Sequence, residues 1–523
     1  MAPTPAAAQR RRRRFVLLMT SVLAFAGLTG ACADRVQAAP ASLSVTLRNE
    51  TGSTAPLYAY LLGVDLTSAN RDTLGYVDAA GAFHPWPDVA AGGPQAAPDV
   101  ALKGPASGGS ISLAIPRGMS GRLYYSVGSP LDFKLVRDDA GRSRLVQPAP
   151  WVAGDPNYQK LFDWAEFTYD NGIWINSTQV DQFALPAAVT VKGSNRENST
   201  GQLVSGGRQQ LIDTIAADSE LDRSVVKDNS GRVLRVLSAG HATREGLVDP
   251  GYLDEAIDRA WSAKSTRLTI QPFENHQGAE FIGRYVGSRL VFTDASGAEV
   301  ASFAKPSSLD VFECAGALVA PNDMVVGPIA RTLCAALNRG TLGLGAVEPV
   351  LNTSAFYRTK PSNGYAKAVH AAMADRKAYA FAFDDVAQQE SLVHDPDPIS
   401  VTVTVPLIGD GRPEVAPTES PSPTATPSSS ATPKPSADPS PDQDTSQVLT
   451  VDLRAGHPGY AVFTFGPGTS PGLVTVAVSG GRTSTISVDG PGSVRADLKA
   501  SPGRHTVTVS GPAGLGKVSV TLP

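Results

Sequence analysis

A stretch with almost no large apolar side chain divides the chain into two unequal parts. Residues 412–447 contain nine prolines and consist otherwise mostly of Ser, Thr and Ala. Such a segment cannot bury enough apolar surface to fold, so we expect an extended linker over residues 411–447. The chain must therefore build two separate cores, one over residues 39–410 and one over residues 448–523.

Residues 1–38 have the pattern of an export signal. Arginines at positions 10–14 precede an apolar run that ends near residue 31 and is too short for a stable membrane span. Val36-Gln37-Ala38 is a small-residue cleavage site. We therefore expect a secreted, extracellular protein, exported by the Sec or the twin-arginine route. A lipoprotein anchored at Cys32 is the less favoured alternative, because the residues before it match a lipoprotein cleavage box only loosely.

Removal of the signal makes the chain more acidic. The full chain has 45 Lys and Arg against 49 Asp and Glu, and residues 1–38 hold six of the basic residues and one of the acidic ones. The mature protein therefore keeps 39 basic and 48 acidic residues, a formal net charge of −9. This charge argues against nucleic acid or an anionic membrane as a partner.

Two cysteines remain after the signal, Cys314 and Cys334. An even count in an oxidising compartment predicts a disulfide between them, worth roughly 3 kcal/mol in the chain-entropy model. The histidines and cysteines do not have the spacing of metal ligands, so we expect no metal site and no cofactor.

The large part begins and ends with strand patterns and has helical patterns between them. Leu43, Val45 and Leu47 alternate with polar residues near the start, and residues 399–405 alternate near the end. Helical spacing is found over residues 207–217, 252–263 and 365–373. The pattern predicts a mainly β fold with an inserted α/β portion. We expect the β portion over about 39–195 and 396–410, the α/β portion over 196–395, and a small β-sandwich over 448–523.

Residues 162–181 combine carboxylates with tryptophans on a predicted strand. Alternate side chains of a strand face opposite sides, and Asn171-Gly172 predicts a hairpin turn that leads to Trp174. One face carries Phe162, Trp164, Glu166, Thr168 and Asp170, and the other carries Phe167 and Tyr169. A solvated hairpin does not need tryptophan beside acid, whereas cleavage of a sugar chain uses aromatic faces to hold the ring and two carboxyl groups for proton transfer.

Spacing alone does not identify the second carboxyl group. Asp163 points to the opposite face from Glu166, and Asp170 lies roughly 13 Å from it, farther than either catalytic spacing. On a regular hairpin Glu166 pairs near Ser177, which leaves Asp181 equally far away. A bend over residues 176–178 would bring Asp181 in, so all three aspartates stay candidates.

Several ordered motifs resemble those of one enzyme family. They are Pro116-Arg117, residues 121–124, 164–169 and 178–183, Leu185-Pro186, and residues 236–241, 334–340, 363–365 with His370, and 379–386. Together they resemble glycoside hydrolase family 64, the thaumatin-like endo-β-1,3-glucanases of the laminaripentaose-producing type. The resemblance spans about residues 43–406 and excludes the linker and the small part.

The resemblance implies a thaumatin-like β-barrel or sandwich and an inserted α/β domain that together form a wide cleft for β-1,3-glucan polysaccharide. It implies inverting hydrolysis of internal bonds, with Glu166 as general acid and Asp181 as general base. It also places Thr168, Asp170 and Trp174 against the substrate. Asp170 stands where asparagine is expected, and the turn before Trp174 is one residue shorter, so both departures concern subsite specificity. The alternative function is a non-catalytic thaumatin-like glucan-binding protein, and for either function we expect a monomer.

Four other residues of these motifs have two possible roles each. His241 either binds sugar or is an ordinary loop histidine, and Arg122 either forms salt bridges within the barrel or reaches the glucan. For Asp384 we favour capping of a turn over lining the cleft. For His370 we favour packing over catalysis.

Overall fold

The computed structural model describes residues 41–67, 73–262, 267–271 and 279–409, and the backbone of strands between residues 450 and 522. The expected signal over residues 1–38 and the expected linker over 411–447 lie outside the described residues. Across the described part of the chain, no helix combines the length and the apolar character that a membrane crossing requires.

Strands dominate the chain as far as Thr200, as the alternating side chains predict. They are β1 (Ser42–Asn49), β2 (Leu57–Asp65), β3 (Thr73–Val77), β4 (Phe83–Pro85), β5 (Gln95–Ala96), β6 (Leu102–Lys103), β7 (Ser110–Pro116), β8 (Met119–Val127), β9 (Lys134–Arg137), β10 (Ser143–Val146), β11 (Leu161–Asp170), β12 (Gly172–Ser177), β13 (Gln182–Phe183), β14 (Ala188–Gly193) and β15 (Glu197–Thr200).

Helices and strands alternate in the rest of the large part. The helices are α1 (Gly207–Ala216), α2 (Ala239–Arg244), α3 (Asp254–Ser262), α4 (Ser308–Glu313), α5 (Val326–Arg339) and α6 (Gly364–Ala372). The strands are β16 (Val225–Lys227), β17 (Val233–Leu237), β18 (Leu268–Ile270), β19 (Phe281–Val286), β20 (Arg289–Thr293), β21 (Glu299–Ala304), β22 (Val347–Glu348), β23 (Leu392–Asp395) and β24 (Pro398–Val405). The three helices predicted from spacing are confirmed as α1, α3 and α6, with small shifts at their ends.

A five-stranded sheet joins the two ends of the large part. Its order is β15-β14-β24-β1-β7, so the last strand of the large part lies between β14 and β1. β24 runs parallel to β1 and antiparallel to β14. The chain thus returns to the β portion after the helices, and the strands β15 and β23, at the ends of the expected α/β portion, also pair with strands of the β portion.

An eight-stranded sheet carries the acidic motif. Its order is β23-β12-β11-β8-β2-β3-β4, and β6 pairs with β2. Ala165, Phe167 and Tyr169 are buried on one face, as predicted. On the other face Phe162 and Trp164 pack in an aromatic cluster with Phe133, Leu135 and their neighbours. This cluster covers one end of that face, and the face opens from Glu166 onward, where side chains become partly exposed.

The α/β portion has its own core. Apolar side chains of all six helices pack with those of the sheet β21-β20-β19-β18-β22 and of the sheet β13-β17-β16 in one continuous cluster. The predicted disulfide between Cys314 and Cys334 is confirmed, and it joins the end of α4 to α5.

The small part is described by its backbone. Strands β25 (Thr450–Leu453), β26 (Tyr460–Phe465), β27 (Gly472–Val478), β28 (Thr483–Val488), β29 (Gly492–Asp497), β30 (Gly503–Ser510) and β31 (Lys517–Leu522) form two sheets. Their orders are β25-β26-β29 and β28-β27-β30-β31. Face-to-face packing of the two sheets as a sandwich stays a prediction.

Candidate active site

Strand register places the polar side chains of the open face in two rows across the sheet. In one row Glu166 lies between Asn176 on β12 and Arg122 on β8. In the next row Thr168 lies between Trp174 and Ser120. Residues directly opposite each other on neighbouring strands have Cβ atoms about 4.5–5.5 Å apart, so the side chains of each row lie next to one another.

The chain leaves the sheet within residues 176–178, the segment where a bend would bring Asp181 toward Glu166. β12 ends at Ser177, and Thr178 forms a bridge with Tyr379 instead of continuing the hairpin. The strand pairing itself differs by one residue from the expectation, because Glu166 pairs with Asn176 rather than near Ser177. The cause is a tight turn in which Asp170 pairs directly with Gly172, so the return strand begins one residue earlier.

A short strand pairing then positions Asp181. β13 begins at the next residue and pairs antiparallel with the end of β17, where Gln182 lies opposite Leu237. The Ser238 N–H donates to the backbone oxygen of Asp181 at 3.1 Å. Since α2 begins immediately after Ser238, the pairing brings Asp181 and the first turn of α2 together.

Arg122 contacts both expected catalytic carboxyl groups. Its Nη2 lies 2.9 Å from Glu166 Oε1 and 3.9 Å from Asp181 Oδ2. A single guanidinium nitrogen therefore lies within ion-pair distance of both carboxyl groups. The side chains are 23% exposed for Glu166 and 20% exposed for Arg122 and Asp181, so each is mostly enclosed but open to solvent on one side. The structure thus assigns Arg122 to an ion pair inside the site, one of its two predicted roles.

His241 on α2 forms the other contact of Asp181. Its Nε2 lies 2.8 Å from Asp181 Oδ1, and its ring stacks on Trp151 with centroids 3.7 Å apart. Burial would raise the pKa of Asp181, but the hydrogen bond with His241 and the charges of His241 and Arg122 hold the pKa below its ordinary value. Neither of the two predicted roles of His241 included this contact with Asp181. The sequence signal for it was weak, a histidine in a motif that follows a buried strand.

The other two aspartates have different surroundings. Asp163 is buried on the opposite face and accepts hydrogen bonds from the backbone N–H groups of Trp164, Ala184 and Leu185. Burial raises the pKa of Asp163 to about 7, against the lowering effect of these bonds. Asp163 therefore anchors the segment after Asp181 rather than joining the site. Asp170 is exposed at the end of the hairpin, where its backbone oxygen accepts from Arg117.

The two tryptophans of the motif have different roles. Trp164 is only 2% exposed, so the prediction that its indole stands beside the acid on an open surface is wrong. The aromatic cluster covers it, and the Arg122 guanidinium lies over its ring at 4.8 Å. Trp174 is partly exposed and stacks on His394 at 3.7 Å between centroids. Thr168, in the same row as Trp174, hydrogen-bonds Ser120 at 2.8 Å.

Asp384 and His370 lie outside the site in a buried network. Asp384 accepts from the Ala380 N–H at 3.0 Å, which confirms that it caps a turn, and it also pairs with Arg339 and His370. His370 is packed between Asp384 and the Arg376 carbonyl, as favoured. Within the described part of the chain, no group of three or more His, Cys, Asp or Glu side chains is placed to hold a metal ion.

Comparison with known families agrees with this site. The family model of the β-1,3-glucanases of glycoside hydrolase family 64 matches residues 41–405. The chain belongs to this family. The matched residues include Glu166, Asp181 and every contact described above for the site.

Related proteins carry names of the same kind. The chain is 41% identical over 407 residues to a glucan endo-1,3-β-glucosidase of Arthrobacter sp. (strain YCWD3), covering 77% of this chain and 72% of the relative. It is similar to the crystal structure of a laminaripentaose-producing β-1,3-glucanase in complex with laminaritetraose, at 40% identity and a TM-score of 0.66 over 71% of this chain and 99% of the other.

A second solved structure is more distant. It is a family 64 β-1,3-glucanase domain from Clostridium beijerinckii, at 26% identity and a TM-score of 0.59 over 70% of this chain and 98% of the other. Taken together, these matches identify the protein as a glycoside hydrolase. They exclude the alternative of a non-catalytic glucan-binding protein.

Proposed function

We propose that the protein is an exported endo-β-1,3-glucanase that inverts the anomeric configuration of the internal bonds it cleaves. Glu166 protonates the glycosidic oxygen, and Asp181 removes a proton from the attacking water. The single observation that carries the proposal is Arg122, whose guanidinium holds both carboxyl groups at the point where the sheet face opens. Two converging acids have no use in a protein that only binds an uncharged polysaccharide.

The two carboxyl groups have surroundings suited to different tasks. The lowered pKa of Asp181 keeps this group ionised, as a base requires. Glu166 uses Oε1 to bind Arg122, whereas Oε2 contacts only the amide of Asn176 at 3.4 Å among the hydrogen bonds of the described residues. We therefore assign the transferred proton to Oε2. In the proposed step, water bonds to the anomeric carbon and gives one proton to Asp181. At the same time the bond between the anomeric carbon and the glycosidic oxygen breaks, and this oxygen takes the proton of Glu166.

The rows of the open face suggest how the glucan lies. Trp174 and Thr168 share a row next to Glu166, so a sugar chain that contacts them runs across the strands rather than along them. We assign Thr168, Trp174 and Asp170 to substrate contact. We also infer that the two large sheets form the thaumatin-like part, and that α2 with its neighbours forms the other wall of a wide cleft. The laminaritetraose bound by the similar crystal structure supports an oligosaccharide-length cleft.

The anomer of the product tests the assignment of Asp181. Inverting enzymes place their carboxyl groups about 6.5–9.5 Å apart and retaining enzymes about 5–5.5 Å. Contact of both carboxyl groups with one Arg122 nitrogen is compatible with either spacing, so proton NMR of the first-formed sugar distinguishes the two mechanisms. An initial α anomer is expected from the β bond, and an initial β anomer would refute inversion.

Substitution of the two acids tests the function itself. Glu166→Gln and Asp181→Asn should each lower the release of reducing sugar from a linear β-1,3-glucan by about 10²–10⁴-fold, as typical of general acid–base groups. Glu50→Gln is the control, because it removes a carboxylate that pairs with Arg48 of β1, on the five-stranded sheet. Azide should restore turnover to Asp181→Ala and give an α-glycosyl product. Full activity of Asp181→Asn would show that the base lies elsewhere.

A further inference from the structure

Two segments at the same end of a strand pair bring a histidine to the proposed base. Asp181 lies immediately before β13 and His241 lies in the first turn after β17, and these two strands pair antiparallel with each other. The backbone bond from Ser238 to Asp181 holds the two segments in one register. The distance between His241 Nε2 and Asp181 Oδ1, 2.8 Å, is therefore a consequence of the fold rather than of a flexible surface contact.

The ring of His241 has a defined orientation. Trp151 stacks on one face with an interplanar angle of 12°. The other ring nitrogen, Nδ1, is buried and has no hydrogen-bond partner among the described residues. Nε2 is therefore the atom through which His241 acts, and Asp181 is its partner. The His241 side chain is 18% exposed and that of Asp181 20%, so solvent screens the pair less than it screens an ion pair at the surface.

We propose that His241 is a positioning residue that orients the Asp181 carboxylate toward the water, with Trp151 as the support of its ring. This rests on the proposed role of Asp181 as general base. With Oδ1 bound to His241, Oδ2 is the oxygen that accepts the proton of the water, and Arg122 lies 3.9 Å from it.

Other charged groups around the pair affect its titration. Arg122 and Glu166 lie on the sheet side, and the hydroxyl groups of Tyr124 and Tyr365 interact electrostatically with Asp181. On the helix side, Arg244 of α2 is paired with Glu313 of α4. These groups stay in place when only His241 is changed, so a change in pH dependence reports on the His241 contact.

Replacing His241 by side chains of different length tests the proposal. Activity is measured with the full-length protein on a soluble linear β-1,3-glucan. A glutamine places its amide nitrogen where Nε2 lies, whereas an asparagine amide corresponds in reach to Nδ1. We expect His241→Gln to keep kcat within about threefold of the unaltered protein. His241→Asn and His241→Ala should lose about 10–100-fold in kcat with little change in KM, the range typical of residues that orient a catalytic group through a hydrogen bond.

The pH profile separates positioning from a merely structural role. The hydrogen bond and the charge of His241 both lower the pKa of Asp181. The acidic limb of the kcat profile should therefore move to higher pH in His241→Ala, and by less in His241→Gln, which keeps the hydrogen bond but not the charge. Thr243→Ala is the control, since it removes a hydrogen bond within α2 and leaves the pair intact. Two results would overturn the proposal. One is a folded His241→Gln variant that is as inactive as His241→Ala, and the other is an acidic limb that does not move in His241→Ala.

A double substitution distinguishes failure of this proposal from failure of the assigned function. If His241 acts through Asp181, adding His241→Ala to Asp181→Asn should cost nothing further. An additional loss of tenfold or more would show that His241 acts by another route. If Asp181→Asn alone keeps full activity, the base assignment has failed and the result concerns the proposed function instead.

Discussion

The amide of Asn176 contacts Oε2 of Glu166, the carboxyl oxygen that Arg122 does not bind. Nδ2 donates to Glu166 Oε2 at 3.4 Å, and Asn176 Oδ1 is buried with no hydrogen-bond partner among the described residues. A general acid alternates between a carboxylate, which only accepts hydrogen bonds, and a carboxylic acid, which also donates one. An amide can serve both states by turning over, because its two ends have opposite hydrogen-bonding character.

Removal of this amide should therefore affect turnover more than binding. Hydrogen bonds to charged groups contribute about 1.5–3 kcal/mol, so we expect Asn176→Leu to lower kcat about 10–100-fold with KM nearly unchanged. Steady-state kinetics on soluble glucan measures both constants. The control is Asn195→Leu, in the exposed turn between β14 and β15. Unchanged kcat in a folded Asn176→Leu would show that Glu166 does not depend on the amide.

At the scale of elements, a buried ionic network packs against the turn that leads to Asp181, the proposed base. Asp384 pairs with Arg339 of α5 at 2.9 Å and with His370 of α6 at 2.8 Å, and its carboxyl group is fully buried. The same segment provides the Tyr379 oxygen, which accepts from the Gln179 N–H just before Asp181. The network thus fixes the backbone against which the turn after β12 packs.

The pKa shifts of the network predict a pH dependence of stability. Burial would lower the pKa of His370, but Asp384 and the Arg376 carbonyl raise it above 6.5. Its contribution is therefore fully present below about pH 6.5 and is lost as pH rises through the folded value. Burial would raise the pKa of Asp384, but His370 and Arg339 lower it below 3.8, so its contribution is lost only as pH falls through that lower value.

We therefore expect His370→Gln to destabilise the protein more at pH 5.5 than at pH 8.5. Breaking a buried pair costs about 3–5 kcal/mol, so a loss of this size is expected at pH 5.5. Urea unfolding at the two pH values measures it. His84→Gln is the control, because the pair of His84 with Asp78 is at the surface and should contribute little at either pH. Equal losses at both pH values would contradict the assignment of a charged His370.

The elements themselves were predictable because their signals are local. Period-two and helical spacing act over a few residues, and they placed β11, β24, α1, α3 and α6 correctly. Alternation also identified which side chains of β11 share a face. It could not show that Phe133 and Leu135 cover one end of that face, because those residues arrive from another part of the chain, and Trp164 was misplaced for that reason.

The candidate site could be predicted only in part, because it too depends on contacts between distant parts of the chain. Glu166 lies on a strand that the alternation of side chains predicts. Asp181 comes near it only because the chain leaves the hairpin after β12, where Thr178 bridges to Tyr379 and β13 pairs with β17. These contacts join residues that are far apart in the sequence, and no short-range pattern reports them. The motif resemblance implied Asp181 as the general base, whereas the proposed role of His241 rests on the three-dimensional structure.

At the scale of the whole molecule, the two parts should act independently on soluble substrate. The proline-rich composition of residues 411–447 predicts a linker that separates their cores. Deletion of residues 411–523 should leave kcat/KM on soluble glucan within about twofold, because every residue of the proposed site lies before residue 395. Initial rates of the deletion variant and the full chain make the comparison. Loss of activity in a folded deletion variant would show that the small part docks on the large one.

The place of β24 between β14 and β1 sets the order in which the molecule can be completed during synthesis. Until Val405 has left the ribosome, β1 can pair with β7 and β14 with β15, but the strand that joins the two pairs into one sheet is missing. The five-stranded sheet therefore stays incomplete until β24 emerges. Completion of the sheet therefore depends on its last strand, β24, which pairs with both β1 and β14.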